Sequence, residues 1–126
     1  MRTTATVAQW LVRITGLILI VLGLLFWTGN QLALVPVHML LGLILVLSLW
    51  TLAFVGARSG VQPGLVAIAF IWGLVVPILG VTQDSILTSG PHWLVQVLHL
   101  LVGLAAIGQA EGLGRRIRES APAAAA

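Results

Sequence analysis

The sequence lacks cysteine, lysine and tyrosine, and only 7% of its 126 residues are charged. The absence of cysteine excludes disulfide bonds, thiolate metal sites and cysteine-bound iron–sulfur clusters. The scarcity of charge is equally informative, because about a quarter of the residues of a soluble domain are charged. With 60% hydrophobic residues, so short a chain has more apolar surface than a small soluble fold buries. The composition therefore indicates a membrane protein.

Four apolar segments are long enough to cross a bilayer, which takes about 20 helical residues. They run from about Val7 to Trp27, Leu34 to Val55, Leu65 to Val81 and Pro91 to Leu113. Each is expected to be a helix, because the apolar runs do not alternate and hydrocarbon demands internal backbone hydrogen bonds. The sequence predicts an all-α integral membrane four-helix bundle over residues 1–120, followed by a disordered alanine-rich tail over 121–126.

All basic residues fall on one side of this four-span arrangement. They are Arg2, Arg13, Arg58, Arg115, Arg116 and Arg118. The positive-inside rule then places both termini in the cytoplasm, with a bacterial plasma membrane as the expected location, and makes the second and fourth helices run from outside to inside. Since the arginines are scattered at span ends, the net charge of +3 indicates the lipid bilayer as partner and does not indicate nucleic acid.

Three histidines, His38, His92 and His99, stand out on this apolar chain. An imidazole inside a membrane span is costly to leave unpaired, so it is read first as a functional site. His38 and His99 each open the pattern His-x-x-x-Gly-Leu, in which Gly42 and Gly103 lie four residues on and share the helix face of the histidine. Two neutral imidazoles with adjacent glycines predict a shared ligand, for which one b-type haem is the best match.

The choice of the second iron ligand rests on depth and context. Two histidines on opposite sides of a haem must lie at similar depth. Counted along each helix from its arginine, the depth of His99 differs from that of His38 by roughly 6 Å, and the depth of His92 differs by roughly 4.5 Å in the other direction. The count therefore leaves both His99 and His92 open as the second ligand. The shared glycine pattern favours His99. His92, beside Pro91 at the helix start, is an alternative metal ligand or a hydrogen-bond partner for a haem propionate.

Glycines recur on the first and third predicted helices. The pairs are Gly16 and Gly23, and Gly73 and Gly80, and each pair is seven residues apart and therefore on one helix face. Together with the histidine pattern on the second and fourth helices, they suggest a tandem repeat of two helical hairpins. This arrangement resembles the four-helix haem bundle of the cytochrome b family. The resemblance implies that His38 and His99 bind haem and that the glycines make room for the ring.

One departure from that family limits the resemblance. The family bundle usually has a second histidine on each ligand helix, about four turns deeper. This chain has Leu52 and Leu113 near those places. The resemblance therefore implies one haem near the outer face and no complete two-haem pathway across the membrane.

The resulting hypothesis is a membrane b-type cytochrome that transfers electrons, with a quinol or a periplasmic redox protein as its partner. No nucleophile–base arrangement, phosphate loop or nucleotide fold is evident in the sequence, so an electron carrier is favoured over a stand-alone enzyme. The alternative is a cofactor-free small subunit or assembly scaffold, in which the small residues serve helix packing within a homo-oligomer or a larger membrane complex.

Arg13 and Glu111 form a second polar feature, near the cytoplasmic ends of the first and fourth helices. An ion pair between them would lower the cost of keeping charge inside a span. Arg13 reaching out to lipid phosphate is the alternative.

Overall fold

The computed structural model describes residues 1–120, which are all-helical in their regular structure. The long helices are α1 (Arg2–Trp27), α2 (Val35–Arg58), α3 (Pro63–Thr82) and α4 (Trp93–Ser120), with short 3-10 turns at Leu32–Leu34 and Gln83–Ser85. All four helices are long and apolar enough to cross a membrane. The predicted helices are thus confirmed, and the predicted tail at 121–126 lies outside the described residues.

The helices differ from the bounds predicted from the sequence mainly at their polar ends. Helix α1 begins five residues before Val7, and α4 continues seven residues beyond Leu113. Hydropathy missed these turns because they are amphipathic, yet Ala5 and Ile117 on them are buried in the bundle. The fourth segment is expected from the sequence to begin at about Pro91, whereas α4 begins at Trp93, so Pro91 precedes the helix.

The helices form a ring in the order α1, α2, α3, α4, and α2 also contacts α4 across the middle. Helices α1 and α3 make no comparable contact within residues 1–120. Helices α1 and α2 run antiparallel, because Gly23 late in α1 adjoins His38 early in α2, whereas the diagonal pair α2 and α4 runs parallel, because Gly56 late in α2 adjoins Leu113 late in α4. We call the end with residues 2–13, 56–63 and 111–120 the arginine end. The opposite end, which contains His38, is the histidine end.

The apolar core is concentrated toward the arginine end. Its largest fully buried side chains are those of Val12, Leu49, Leu52 and Ile117. Toward the histidine end, the ranges 17–44 and 74–101 contain only two buried residues, Leu22 and Val95. The bundle is therefore closely packed in one half and loosely packed in the half that contains the histidines.

The outer faces of the helices stay apolar along the whole bundle. Leu17 is 66% exposed, Ile71 is 59% exposed and Leu101 is 55% exposed. Exposed apolar surface on this scale is not stable in water and marks contact with a membrane or a protein partner. Together with four helices long and apolar enough to cross a membrane, it suggests a membrane protein.

Two tryptophans connect α3 to its neighbours. The indole Nε1 of Trp50 on α2 donates to the carbonyl oxygen of Phe70 on α3 at 3.1 Å, and Nε1 of Trp72 on α3 donates to the carbonyl oxygen of Val102 on α4 at 2.9 Å. The Trp50 indole lies directly against Gly73, where any side chain would collide with it. Gly73 therefore lets α2 and α3 approach closely enough for the Trp50 hydrogen bond.

Replacing Gly73 with alanine is expected to destabilise the bundle, because the new Cβ would lie 2.8 Å from Cδ1 of Trp50 and displace the indole. Overpacking of this kind costs about 1–3 kcal/mol. The measurement is thermal unfolding of the purified protein in detergent. The control is Gly64→Ala on the same helix, where no atom lies within 4 Å of the added Cβ. Equal unfolding temperatures for the two variants would contradict the packing role of Gly73.

Candidate functional site

The structure brings His38 and His99 together at the histidine end. His38 lies in the first turn of α2 and His99 in the second turn of α4, and these are the two helices that meet across the middle of the bundle. Their ring centroids are 6.3 Å apart and their planes are inclined at 47°. The two side chains therefore lie at similar depth, although the count from the arginines suggested a difference.

His92 is engaged elsewhere, in the loop before α4. Its Nδ1 donates to the carbonyl oxygen of Ile86 at 3.0 Å, and its Nε2 lies 4.0 Å from a carboxylate oxygen of Asp84. These contacts connect the start of α4 to the preceding 3-10 turn. In this geometry His92 stabilises the loop at the histidine end and does not supply a ring nitrogen to the pair.

The paired histidines each keep a polar atom without a partner. Both residues are half-buried, and the Nδ1 atoms of His38 and His99 are buried without a hydrogen-bond partner among residues 1–120. The ring of Phe26 packs edge-on against His38, with centroids 5.4 Å apart. A buried polar group that lacks a hydrogen bond costs on the order of 1–3 kcal/mol, so these two nitrogens make the pair the candidate site.

A glycine faces each of the two histidines. A Cβ added to Gly23 of α1 would lie 3.8 Å from Cε1 of His38, and one added to Gly80 of α3 would lie 3.2 Å from Cε1 of His99. Each hairpin thus places the second of its two spaced glycines beside its own histidine. The absent side chains let the two imidazole rings pack directly against α1 and α3.

The other glycines predicted for the site take different places. Gly16 is covered by Ile107 of α4, and Gly73 is covered by Trp50. Both therefore serve helix packing closer to the arginine end and lie away from the histidine pair. Gly42 and Gly103 border open space, with no atom within 4 Å of an added Cβ.

The donor set restricts which metal group these residues fit. No group of three or more histidine, cysteine, aspartate or glutamate side chains suited to a metal ion occurs within residues 1–120. A zinc site usually takes three or four protein ligands, whereas a haem iron needs only two from the protein. With metal–imidazole bonds of about 2.0–2.1 Å, two rings on opposite sides of one metal have centroids roughly 6 Å apart. The separation of His38 and His99 fits this arrangement.

A second polar cluster lies between α1 and α4 at the arginine end. The Arg13 guanidinium donates to both carboxylate oxygens of Glu111, from Nε at 2.6 Å and from Nη2 at 2.9 Å. The buried Gln9 side chain donates to Glu111 at 3.1 Å, and Arg118 donates to Gln9. The structure therefore shows the ion pair that was one of the two sequence alternatives.

Gln9 and Arg118 are members of this cluster that the sequence analysis missed. A signal was present, because Gln9 and Arg13 are four residues apart on α1, and Glu111 and Arg118 are seven apart on α4. Both spacings place polar side chains on one helix face. Gly114 adds to the arrangement, since the Gln9 side chain packs directly against its backbone.

Comparison of the chain with protein-family models, with curated proteins and with solved structures finds no match. The basis for a functional assignment is therefore the geometry of the chain's own residues. That geometry consists of a histidine pair with unpartnered nitrogens in the loosely packed half, and an ion-paired cluster in the closely packed half.

Replacing Glu111 with glutamine is expected to weaken the packing of α1 on α4, because Arg13 then loses its anionic partner. Charge-assisted hydrogen bonds are stronger than neutral ones, and solvent screens part of this effect because both side chains are partly exposed. The free energy of unfolding in detergent measures the effect. Glu119→Gln is the matched control, since Glu119 is exposed and its contact with Arg115 of the same helix is long, at 3.8 Å. If the two variants unfold alike, the Glu111 cluster contributes nothing specific to stability.

Proposed function

We propose that this protein is a membrane b-type cytochrome that binds one haem at the histidine end, with His38 and His99 as the residues that would hold its iron. The observation that carries the proposal is the 6.3 Å separation of the two imidazole rings on helices that meet across the bundle. Two imidazoles with a porphyrin complete the coordination of an iron without a third protein ligand. The resemblance to cytochrome b bundles points to the same pair of residues.

The unpartnered ring nitrogens support a ligand-binding role. Each imidazole has two nitrogens, and Nδ1 of each ring is buried without a partner. A half-turn of the ring exchanges the positions of nitrogen and carbon, so either nitrogen of His38 or His99 can face a metal. Coordination removes the cost of an unpaired buried nitrogen, which the protein alone leaves uncompensated.

The loose packing of the histidine end supports the binding of a group as large as a porphyrin. A porphyrin is a flat, wide molecule, and a tightly packed core would exclude it. Gly23 and Gly80 remove side chains next to the two rings, and Gly42 and Gly103 adjoin open space.

The positions deeper in the bundle favour a single haem. Leu52 is fully buried and Leu113 is 3% exposed, and both belong to the closely packed half. These apolar side chains supply no metal ligand. We therefore propose one haem near one membrane face and no second haem along the same helices.

Haem bound by two imidazoles supplies reversible one-electron transfer and has no open coordination position for a substrate. The chain's own part is to hold the two rings, exclude water and position the haem near the membrane surface. The arginines gather at the opposite end, which by the positive-inside rule faces the cytoplasm in a bacterial plasma membrane. Electron donors or acceptors would then be a quinol in the membrane or a redox protein outside it.

A cofactor-free scaffold is the second candidate, and it is favoured by the glycines that pack helices together. Gly16 receives Ile107, Gly73 receives Trp50 and Gly114 receives Gln9. Close packing of this kind needs no cofactor and suits a small subunit of a larger complex. The scaffold leaves the buried nitrogens of His38 and His99 without an explanation, so the cytochrome is the better account.

The test is the reduced-minus-oxidised absorption spectrum of protein purified after expression with ample haem. The wild-type chain is expected to show Soret and α bands. His38→Ala and His99→Ala each remove one axial ligand and are expected to lose most of the bound haem. His92→Ala is the matched control and is expected to keep the spectrum, because His92 contacts Ile86 and Asp84.

A colourless wild-type protein would contradict the cytochrome and favour the scaffold. Loss of the bands in His92→Ala but not in His99→Ala would assign the second ligand to His92. Size-exclusion chromatography of all three variants separates loss of haem from loss of fold.

A further inference from the structure

A groove between α3 and α4 opens at the arginine end, far from the histidine pair. Its volume is about 330 Å³. The residues that matter for its chemistry are Ile68, Trp72, Ala105, Gln109 and Arg116. Gly108 and Gly112 form part of its floor, and no atom lies within 4 Å of a Cβ added to Gly108. The groove is therefore an open channel along the surface of the bundle.

The residues that line the groove change from charged to polar to apolar along the helix axis. Arg116 lies at the mouth, Gln109 lies about 10 Å deeper along α4, and Ala105 and Trp72 lie deeper still. A glycerophospholipid has the same order from its surface to the membrane core. Its phosphate comes first, its ester carbonyls next and its acyl chains last. The groove thus matches such a molecule in both polarity and direction.

Arg116 at the mouth of the groove has N–H donors that are free to bind an anion. Arg116 uses one Nη1 hydrogen bond, to the carbonyl oxygen of Gly112 at 3.3 Å, out of five available N–H donors. On the other side of Gly108 and Gly112, a second cavity of about 350 Å³ is lined by Arg115 and Arg118. The carboxylate of Glu111, which also lines that cavity, is already paired with Arg13.

Gln109 offers a further polar contact at the right depth. Its Oε1 atom is buried and has no hydrogen-bond partner. Gln109 lines the groove, and the two N–H donors of its carboxamide Nε2 can donate to an ester carbonyl there. An unpartnered amide in an apolar groove indicates a bound molecule with polar atoms at that level.

We propose that this groove binds an anionic glycerophospholipid. The phosphate pairs with Arg116, an ester carbonyl accepts from Gln109, and one acyl chain lies along Ile68 and Trp72. A second copy of this chain in the same orientation fits less well, because it would bring the like charges of Arg115, Arg116 and Arg118 toward their own counterparts. Basic pockets between membrane helices are known to suit anionic lipid head groups.

The experiment is native mass spectrometry of the full chain in detergent with an equal mixture of phosphatidylglycerol and phosphatidylcholine that have the same acyl chains. The wild-type chain is expected to retain phosphatidylglycerol preferentially. Arg116→Gln is expected to weaken that retention about fivefold, since one arginine near a phosphate contributes about that factor. Gly108→Leu fills the groove and is expected to reduce retention of both lipids.

Arg58→Gln is the matched control, because it removes the same charge at the same end, where the Arg58 guanidinium lies over the Phe54 ring at 5.9 Å and outside the groove. Retention in that variant should equal the wild type. Equal binding of the two lipids, an equal loss in Arg58→Gln, or full displacement of the lipid by inorganic phosphate would overturn the proposal. Size-exclusion chromatography of each variant reports whether the fold is kept, independently of lipid binding and of haem.

Discussion

Helices α2 and α4 pack against each other across the middle of the bundle, and the positions of the other two helices and of the histidine pair depend on this contact. It keeps α1 and α3 on opposite sides and brings His38 within 6.3 Å of His99, measured between ring centroids. Because α1 and α3 flank the contact, each contributes one glycine, Gly23 or Gly80, beside one histidine. The pair is therefore flanked by a glycine on each side, which lets both rings lie between the helices.

The two halves of the bundle have different tasks. The arginine end holds the core around Leu49 and Leu52 and the ion-paired cluster of Arg13 and Glu111, so it stabilises the fold. The histidine end lacks close packing and is the half in which the proposed haem would lie. A small bundle with so few buried side chains near its site needs this division, because a wide apolar group cannot be inserted into a fully packed core.

Hydropathy and periodicity predicted the four helices, because a long apolar run has few alternatives to a helix in hydrocarbon. They predicted the ends of α4 less well, since Ile117 is buried on a polar segment. The histidine pattern identified the pair, but axial counting misjudged its depth because arginine side chains are not fixed markers. Gly16 is covered by Ile107, whereas Gly80 lies beside His99. The spacing of the glycines in the sequence does not distinguish these two roles.

The central claim is that one haem lies between the two histidines, and the ratio of haem to protein tests it most directly. Purified wild-type protein from cells supplied with haem would be assayed for haem, iron and chain concentration. The account predicts one haem and one iron per chain, because one bis-imidazole pair is available. A ratio near zero would contradict the cytochrome, and a ratio near two would require ligands that the closely packed half does not provide.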